Sequence, residues 1–398
     1  MTGVGPREPE CTMNMNIFSN LTKQFPTSQE LFAWLQSAEG GLLNITNYDT
    51  FAMIYYDKTS SDMTVPHVEY FRSVVWDKVE NKPVCVGPSH GLSFGAAIAH
   101  GLTDFKTEEF VDGTMINVFY NTYTKEWQLA TRTQFGATGH FYGKRSFADL
   151  FWETFASKGF SKEKLVPGEY YSWVLQHPEE RIVVAPPYGI PQITIVGASS
   201  VEALDRFAAC RPSSYSLSTL NDVKEFVAAE GKRLGSRWQG VSFYKDGHRY
   251  KLRSTEYEEA RILRGNQQKL PYLWLERWGQ GKLMAYLRMF PEEQCDADKV
   301  ITEFKACTQE LHELYMQVYR KKTMPLGQAP QKFRKLIWEA HQAGKGVYFP
   351  HLRQFMNEQA TARKLWLVNY DMRYGVITKG PAFSASAEAE ADSYECVN

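Results

Sequence analysis

The stretch Thr107-Glu108-Glu109-Phe110-Val111-Asp112-Gly113-Thr114-Met115-Ile116-Asn117-Val118-Phe119-Tyr120 decides how the rest of the chain is read. Its second half is rich in β-branched and aromatic residues and enters through Asp-Gly, so it predicts a strand that follows a turn. Downstream, a polar turn at residues 121–125 and a second β-prone run, Trp127–Thr133, complete a hairpin. A second Asp-Gly pair, Asp246-Gly247, favours a two-residue hairpin turn between Gly240–Lys245 and His248–Arg253. In that register Val241 faces Leu252 and Phe243 faces Tyr250, which makes one apolar face. The other face sets Gly240 and Ser242 opposite Arg253 and Lys251, beside Arg249. Small groups opposite long cations leave room for an anion.

Around these hairpins the chain has two characters. Short β segments dominate up to about residue 256: Phe51–Tyr56, Tyr70–Asp77, Val84–Val86, Tyr170–Leu175, Arg181–Val184 and Ile193–Val196. Helices are predicted at the capping box Thr27-Ser28-Gln29-Glu30, at Phe147–Ser157 and at Val223–Leu234. Beyond residue 256 the pattern is helical, and Phe304, Cys307, Leu311, Leu314, Tyr315 and Val318 form the apolar stripe of a core helix. The expected organisation is a flexible leader over residues 1–15, an α+β domain of antiparallel sheets over 16–258, a smaller all-helical domain over 259–380 and an acidic, disordered tail over 381–398.

Composition narrows the function. The chain has 398 residues, and 45 basic against 45 acidic side chains leave no net charge, so nucleic-acid binding has to come from local patches. One such patch is the basic run Arg320, Lys321, Lys322, Lys332, Arg334 and Lys335, a candidate RNA-backbone contact in the helical part. Six scattered cysteines form no C-x-x-C pair, which argues against a zinc site or a disulfide framework. No secretory signal or membrane-length apolar run is visible, so an intracellular, cytoplasmic protein is expected.

The motifs taken together resemble those of covalent nucleotidyltransferases. The similarity is to phage-type ATP-dependent RNA ligases, in the branch of large DNA viruses and microbial eukaryotes. It runs from about Val68 to about His341, through Phe71–Asp77, Val111–Ile116, Trp127–Arg132, Tyr171–Val184, Arg249–Arg253 and Leu263–Leu270 in the family's order. The resemblance implies ATP or AMP as ligand, Mg2+, and the joining of 5′-phosphate and 3′-hydroxyl RNA ends in RNA repair, with tRNA or another structured RNA as candidates. It assigns Arg72, Lys251 and Arg253 to phosphates. Asp112 and Gly113 would shape the nucleotide pocket, and Thr131 and Arg132 would flank the nucleotide or the RNA end.

Three departures bear on catalysis. Phe110 stands where the family has its nucleophilic lysine, and Lys106 lacks the spacing to replace it. Leu92-Ser93-Phe94-Gly95 replaces a lysine-bearing segment, and Gln239 stands in place of a metal-binding carboxylate. Two readings follow: a ligase impaired in self-adenylylation that still seals pre-adenylylated ends, or a non-catalytic pseudoenzyme that binds nucleotide or RNA ends.

Overall fold

The computed structural model describes residues 10–374. Residues 1–9 of the expected leader and the expected tail lie outside the described residues, while Glu10–Gln24 form a helix that overlaps residues 10–15. The chain divides into two compact units, the first ending at Ile262 and the second beginning at Leu263. The first is α+β, with three sheets among the described residues, of four, four and five strands.

The opening stretch supplies strands to two of these sheets. Lys106–Glu109 belongs to the five-stranded sheet and Thr114–Asn121 to a four-stranded one, so Phe110–Gly113 is the crossing between them. Thr114–Asn121 pairs with Glu126–Ala130 and with Tyr170–Gln176, so the predicted hairpin forms around the polar turn. Thr114–Asn121 and Tyr170–Gln176 are the central strands of this sheet, because their residues are apolar on both sides: Ile116, Val118, Phe119, Tyr171 and Trp173 are buried.

Gly113 makes the crossing possible. Its φ is +140°, and a Cβ there would sit 2.4 Å from the Leu175 carbonyl oxygen and 2.8 Å from Val174 Cγ1. Only a glycine lets the backbone pass so close to its neighbour. Asp112 beside it is 7% exposed. Its Oδ2 accepts from the backbone N–H groups of Val183 (3.0 Å) and Val184 (2.8 Å), and its Oδ1 accepts from the Tyr257 hydroxyl (2.7 Å). These bonds correct one expectation: Arg181–Val184 is not a strand. Two of its N–H groups go to a side-chain carboxylate instead of a ladder, which satisfies them without strand pairing.

The second Asp-Gly hairpin has the expected register throughout, with Gly240 opposite Arg253, Ser242 opposite Lys251 and Lys245 opposite His248. Val241, Phe243 and Tyr250 face a small core with Ala97, Leu102, Phe105, Val223, Val227 and Trp238. The helix behind them, Leu220–Leu234, is fixed by a capping box between Thr219 and Asp222. Nearer the N-terminus, Thr27 and Glu30 form the expected capping box, and Phe147–Ser157 is helical with Ser146 as its cap. The expected strand Tyr70–Asp77 is shorter: Pro66–Tyr70 is a 3-10 turn and only Val74–Asp77 is extended.

The second unit is helical. Gln294–Tyr315 is its central helix, burying Phe304, Cys307, Leu311, Leu314 and Tyr315 of the predicted stripe, while Val318 is partly buried in the π-helical turn Met316–Arg320 that follows. Arg264 is ion-paired with Glu293 inside this unit, and Glu293 also accepts from Trp274 Nε1 (2.8 Å) and the Tyr286 hydroxyl (2.6 Å). No helix among the described residues is long and apolar enough to cross a membrane.

Two substitutions test the crossing. Gly113→Ala is expected to cost at least about 2 kcal/mol by chemical denaturation, since both φ and the Leu175 carbonyl oppose a Cβ. Asp112→Ala is expected to cost about 3 kcal/mol by stranding three buried donors. A change below about 0.5 kcal/mol in either would contradict this account of the crossing.

Candidate nucleotide and RNA-end site

The side chains of Arg249, Lys251 and Arg253 alternate along one strand, so all three leave the sheet on the face opposite the apolar core. Small partners make room for them: Gly240 and Ser242 lie across the hairpin, and Gly91 lies beside Arg249 on the parallel neighbour Gly91–Leu92. Phe110, bonded through its N–H to the Gly240 carbonyl (2.9 Å), carries its ring onto the same face. The guanidinium carbons of Arg249 and Arg253 lie 5.0 and 5.2 Å from that ring's centre. Two cations therefore share one aromatic ring, each contact contributing about 0.5–2 kcal/mol.

The cations have few counter-charges. Arg253 pairs with Glu258 at 3.0 Å. Lys251 donates to the Gly91 carbonyl. Arg249 is 7% exposed, yet among the described residues no carboxylate lies within ion-pair distance of it and its Nε has no hydrogen-bond partner. Glu108, two residues before Phe110 and opposite Ser242, pairs with Arg211 at 3.9 Å and also feels the Arg249 charge. Two further cations come from elsewhere in the first unit: Arg72, just ahead of the strand Val74–Asp77, and Lys58, just past Phe51–Tyr55. Arg132 lies with its guanidinium 6.0 Å from the Tyr56 ring.

The titrations record the crowding. Burial first, and then the charges of Lys58, Arg253, Arg249 and Arg72, push the Lys251 ammonium down to about 7. Burial and then Arg249 push Arg72 down to about 10. His90, whose Nδ1 is 2.7 Å from the Tyr56 hydroxyl, is pushed down to about 3 by burial and by Lys251, Lys58, Arg72 and Arg249, so it is a neutral imidazole. Like charges this close repel, and only an anion relieves all of them together.

The structure thus brings together Arg72, Arg132, Lys251, Arg253 and Phe110. It adds Arg249, Lys58, His90 and Tyr56, which the motif comparison did not assign. Arg249 was readable from its parity with Lys251; the other three arrive from distant segments with no local signal. Two assigned residues serve the framework: the hydrogen-bonding oxygens of Asp112 are engaged as described, and Gly113 packs on Leu175. Thr131 closes a tight turn with Gln134, accepting from its N–H at 3.2 Å.

Gln239 does not supply the charge of a metal-binding carboxylate. Gln239 is 4% exposed, its Oε1 has no hydrogen-bond partner, and an amide supplies no charge. Among the described residues no group of three or more His, Cys, Asp or Glu could hold a metal ion.

In the second unit, Arg320, Lys321 and Lys322 are exposed and have no ion pair among the described residues. Lys332 does not belong with them. It is 8% exposed and bound to Asp371 (2.9 Å) and Glu310 (3.4 Å), because its position on the helix Gln331–Gln342 faces the core beside Phe333. Arg334 donates to the Ala329 carbonyl (2.7 Å), and Lys335 reaches Glu339 at 3.9 Å.

No protein-family model matches the chain. An RNA ligase of Rhodothermus phage RM378 is 27% identical over 127 residues, 29% of this chain and 28% of that protein. The immediate-early protein ICP-46 homolog of Invertebrate iridescent virus 3 is 23% identical over 224 residues, 52% of this chain and 49% of that protein. The chain thus spans about half or less of the length of these curated relatives. Among solved structures, an archaeal ATP-dependent RNA ligase shares 13% identity over 90% of each chain at a TM-score of 0.40. A Naegleria gruberi RNA ligase mutant with ATP and Mn shares 11% over 44% of this chain and 57% of that one, at 0.32. The sequence likeness to the phage protein supports an RNA ligase-like family.

The cation cluster makes a stability prediction. Lys251 binds its proton more weakly in the folded state than unfolded, so its charge opposes folding below about pH 7, and this opposition fades as pH rises toward the unfolded lysine value. Lys251→Met is expected to stabilise the ligand-free protein at pH 6 by on the order of 1 kcal/mol, with the advantage shrinking between about pH 7 and 10. Paired denaturation curves across that range measure it, and an advantage that grows with pH would contradict the assignment.

Proposed function

We propose that the chain is an RNA ligase-like protein that holds ATP or AMP and phosphorylated RNA ends in the pocket of Arg72, Arg249, Lys251 and Arg253, and that it does not form a lysine–AMP adduct at position 110. The observation that carries this reading is Arg249, a buried guanidinium that among the described residues has an unpartnered Nε and no carboxylate within ion-pair distance, set among further cations. Buried charge without a partner is costly, and a phosphate ligand supplies the missing partner. Phe110 has no amine to attack an α-phosphate. The ring instead serves as a neutral seat for the two guanidinium groups.

Two reactions separate the possible activities. Incubation with α-labelled ATP and a divalent cation is expected to leave no label on the protein after a denaturing gel; a labelled band would overturn the reading of position 110. Sealing of a pre-adenylylated donor to a 3′-hydroxyl acceptor needs no protein nucleophile, only alignment and charge stabilisation. The amide of Gln239 favours a second reading, binding without sealing, because it brings no charge to a metal there. Product in that assay supports the ligase, and bound RNA without product supports the pseudoenzyme.

RNA contact by the exposed Arg320, Lys321 and Lys322 belongs to the same proposal. Replacing all three with glutamine is expected to reduce the log–log salt slope of single-stranded RNA binding by about 2, at about 0.7 per lost phosphate contact. An unchanged slope would remove that surface from the interface.

A further inference from the structure

In the second unit, the helix Gln331–Gln342 turns Phe333, Leu336, Ile337 and Ala340 into the core, and that phase leaves Arg334, Trp338 and His341 on its outer face. Spaced by four and then three residues, these are neighbours along one stripe. Trp338 is 49% exposed, and its ring makes no stacking contact, cation contact or hydrogen bond among the described residues. One exposed ring is ordinary on a protein surface, and the surroundings make this one informative. His341, one turn along, lies flat on Tyr319, with ring centres 3.7 Å and planes 4° apart. Tyr319 belongs to the π-helical turn Met316–Arg320, where the Lys321 N–H reaches the Met316 carbonyl (2.8 Å). Such turns occur frequently at functional sites.

Cations flank these rings. The chain leaves the π turn through Arg320, Lys321 and Lys322, so three exposed charges follow Tyr319 directly. Arg334, one turn before Trp338, is held by its Nε on the Ala329 carbonyl and has no ion pair among the described residues. The acids nearby in sequence are engaged. Glu339 is bonded to Arg363 (2.6 Å) and lies 3.9 Å from Lys335, Glu310 lies 3.4 Å from Lys332, and Glu313 accepts from Gln309 (3.0 Å). The surface therefore keeps an excess of positive charge around its aromatic rings.

We propose that this face binds single-stranded RNA by its bases: unpaired bases stack on Trp338 and against the Tyr319–His341 pair, and the cations on either side hold the phosphates. The inference rests on the RNA-binding reading above and specifies the form of RNA that the helical unit takes. Every base has a π face, so aromatic rings interleaved with cations suit an unpaired strand of any sequence. A duplex keeps those faces stacked inside and offers the rings nothing but its backbone and groove edges. A membrane surface calls for aliphatic side chains beside the rings, whereas the exposed residues of this helix are Gln331, Arg334, Lys335, Trp338, His341 and Gln342.

The test is fluorescence anisotropy of the full chain with labelled oligoadenylate, its duplex with oligouridylate, and a strand of the same length that lacks bases. Oligoadenylate is expected to bind tightest. Trp338→Ala is expected to weaken oligoadenylate binding at least about fivefold, the loss of one stacked base, and Trp338→Phe to restore most of it. Trp338→Ala is expected to leave the affinity for the abasic strand and the salt slope unchanged, because stacking releases no counterions. Circular dichroism and melting confirm that both variants are folded. Equal losses for oligoadenylate and the abasic strand, or duplex bound as tightly as single strand, would overturn the proposal. So would binding of phosphatidylserine vesicles without binding of RNA. ATP titration of the same preparations separates the two readings. RNA binding insensitive to Trp338→Ala, with ATP bound, removes this surface and leaves the nucleotide pocket. Trp338-dependent RNA binding without ATP binding keeps the surface and overturns the pocket. No binding of RNA or ATP overturns both.

Discussion

The buried carboxylate of Asp112 is the constraint on which the site depends. It stands where the chain crosses from the five-stranded to a four-stranded sheet, and it binds the backbone of Val183 and Val184 and the hydroxyl of Tyr257. Burial and the Asp112 charge keep that hydroxyl protonated, hence a permanent donor. One side chain thereby fixes the crossing, an irregular segment and the start of the helix Thr255–Arg264. Tyr257 in turn lies 5.9 Å, centre to guanidinium carbon, from Arg253. An acid next to a phosphate site would be poor chemistry if it were free. Saturated with donors, it becomes part of the scaffold.

The second constraint is electrostatic. A strand that puts a cation on every second residue concentrates charge on one face, and the fold adds Arg72 and Lys58 where a random surface would alternate signs. Such a face lowers the stability of the empty protein, as the depressed titrations of Lys251 and Arg72 indicate. Active and binding sites commonly carry such costs, since preorganised charge acts on a ligand without rearrangement. The neutral His90 fits this picture, because a protonated imidazole would add another like charge to the group.

Local chemistry made the hairpins legible in the sequence. Asp246-Gly247 fixed the turn, and the alternation of Val241, Phe243, Tyr250 and Leu252 fixed the face, so the placement of Lys251 and Arg253 followed without tertiary information. The same parity contained Arg249. Lys58, Tyr56 and His90 were not legible, since they join the pocket through sheet and loop packing between segments far apart in sequence. Arg181–Val184 failed for a related reason: β-branched residues suggested a strand, but the N–H groups of Val183 and Val184 found a distant carboxylate. Lys332 failed because a count of basic residues ignores helix phase, and phase turns this lysine toward Phe333 and the core.

Phe110 gains its meaning from the side chains around it. Arg249 and Arg253 are held against the same ring, where two guanidiniums repel each other. The ring offsets part of that repulsion through its negative faces and does so without charge. A lysine at 110 would add another cation to a cluster in which Lys251 already sheds its proton near neutral pH. Phenylalanine brings no amine to this position and lessens the crowding of the cations around it. An uncharged ring at 110 and a cationic face around it are therefore physically compatible.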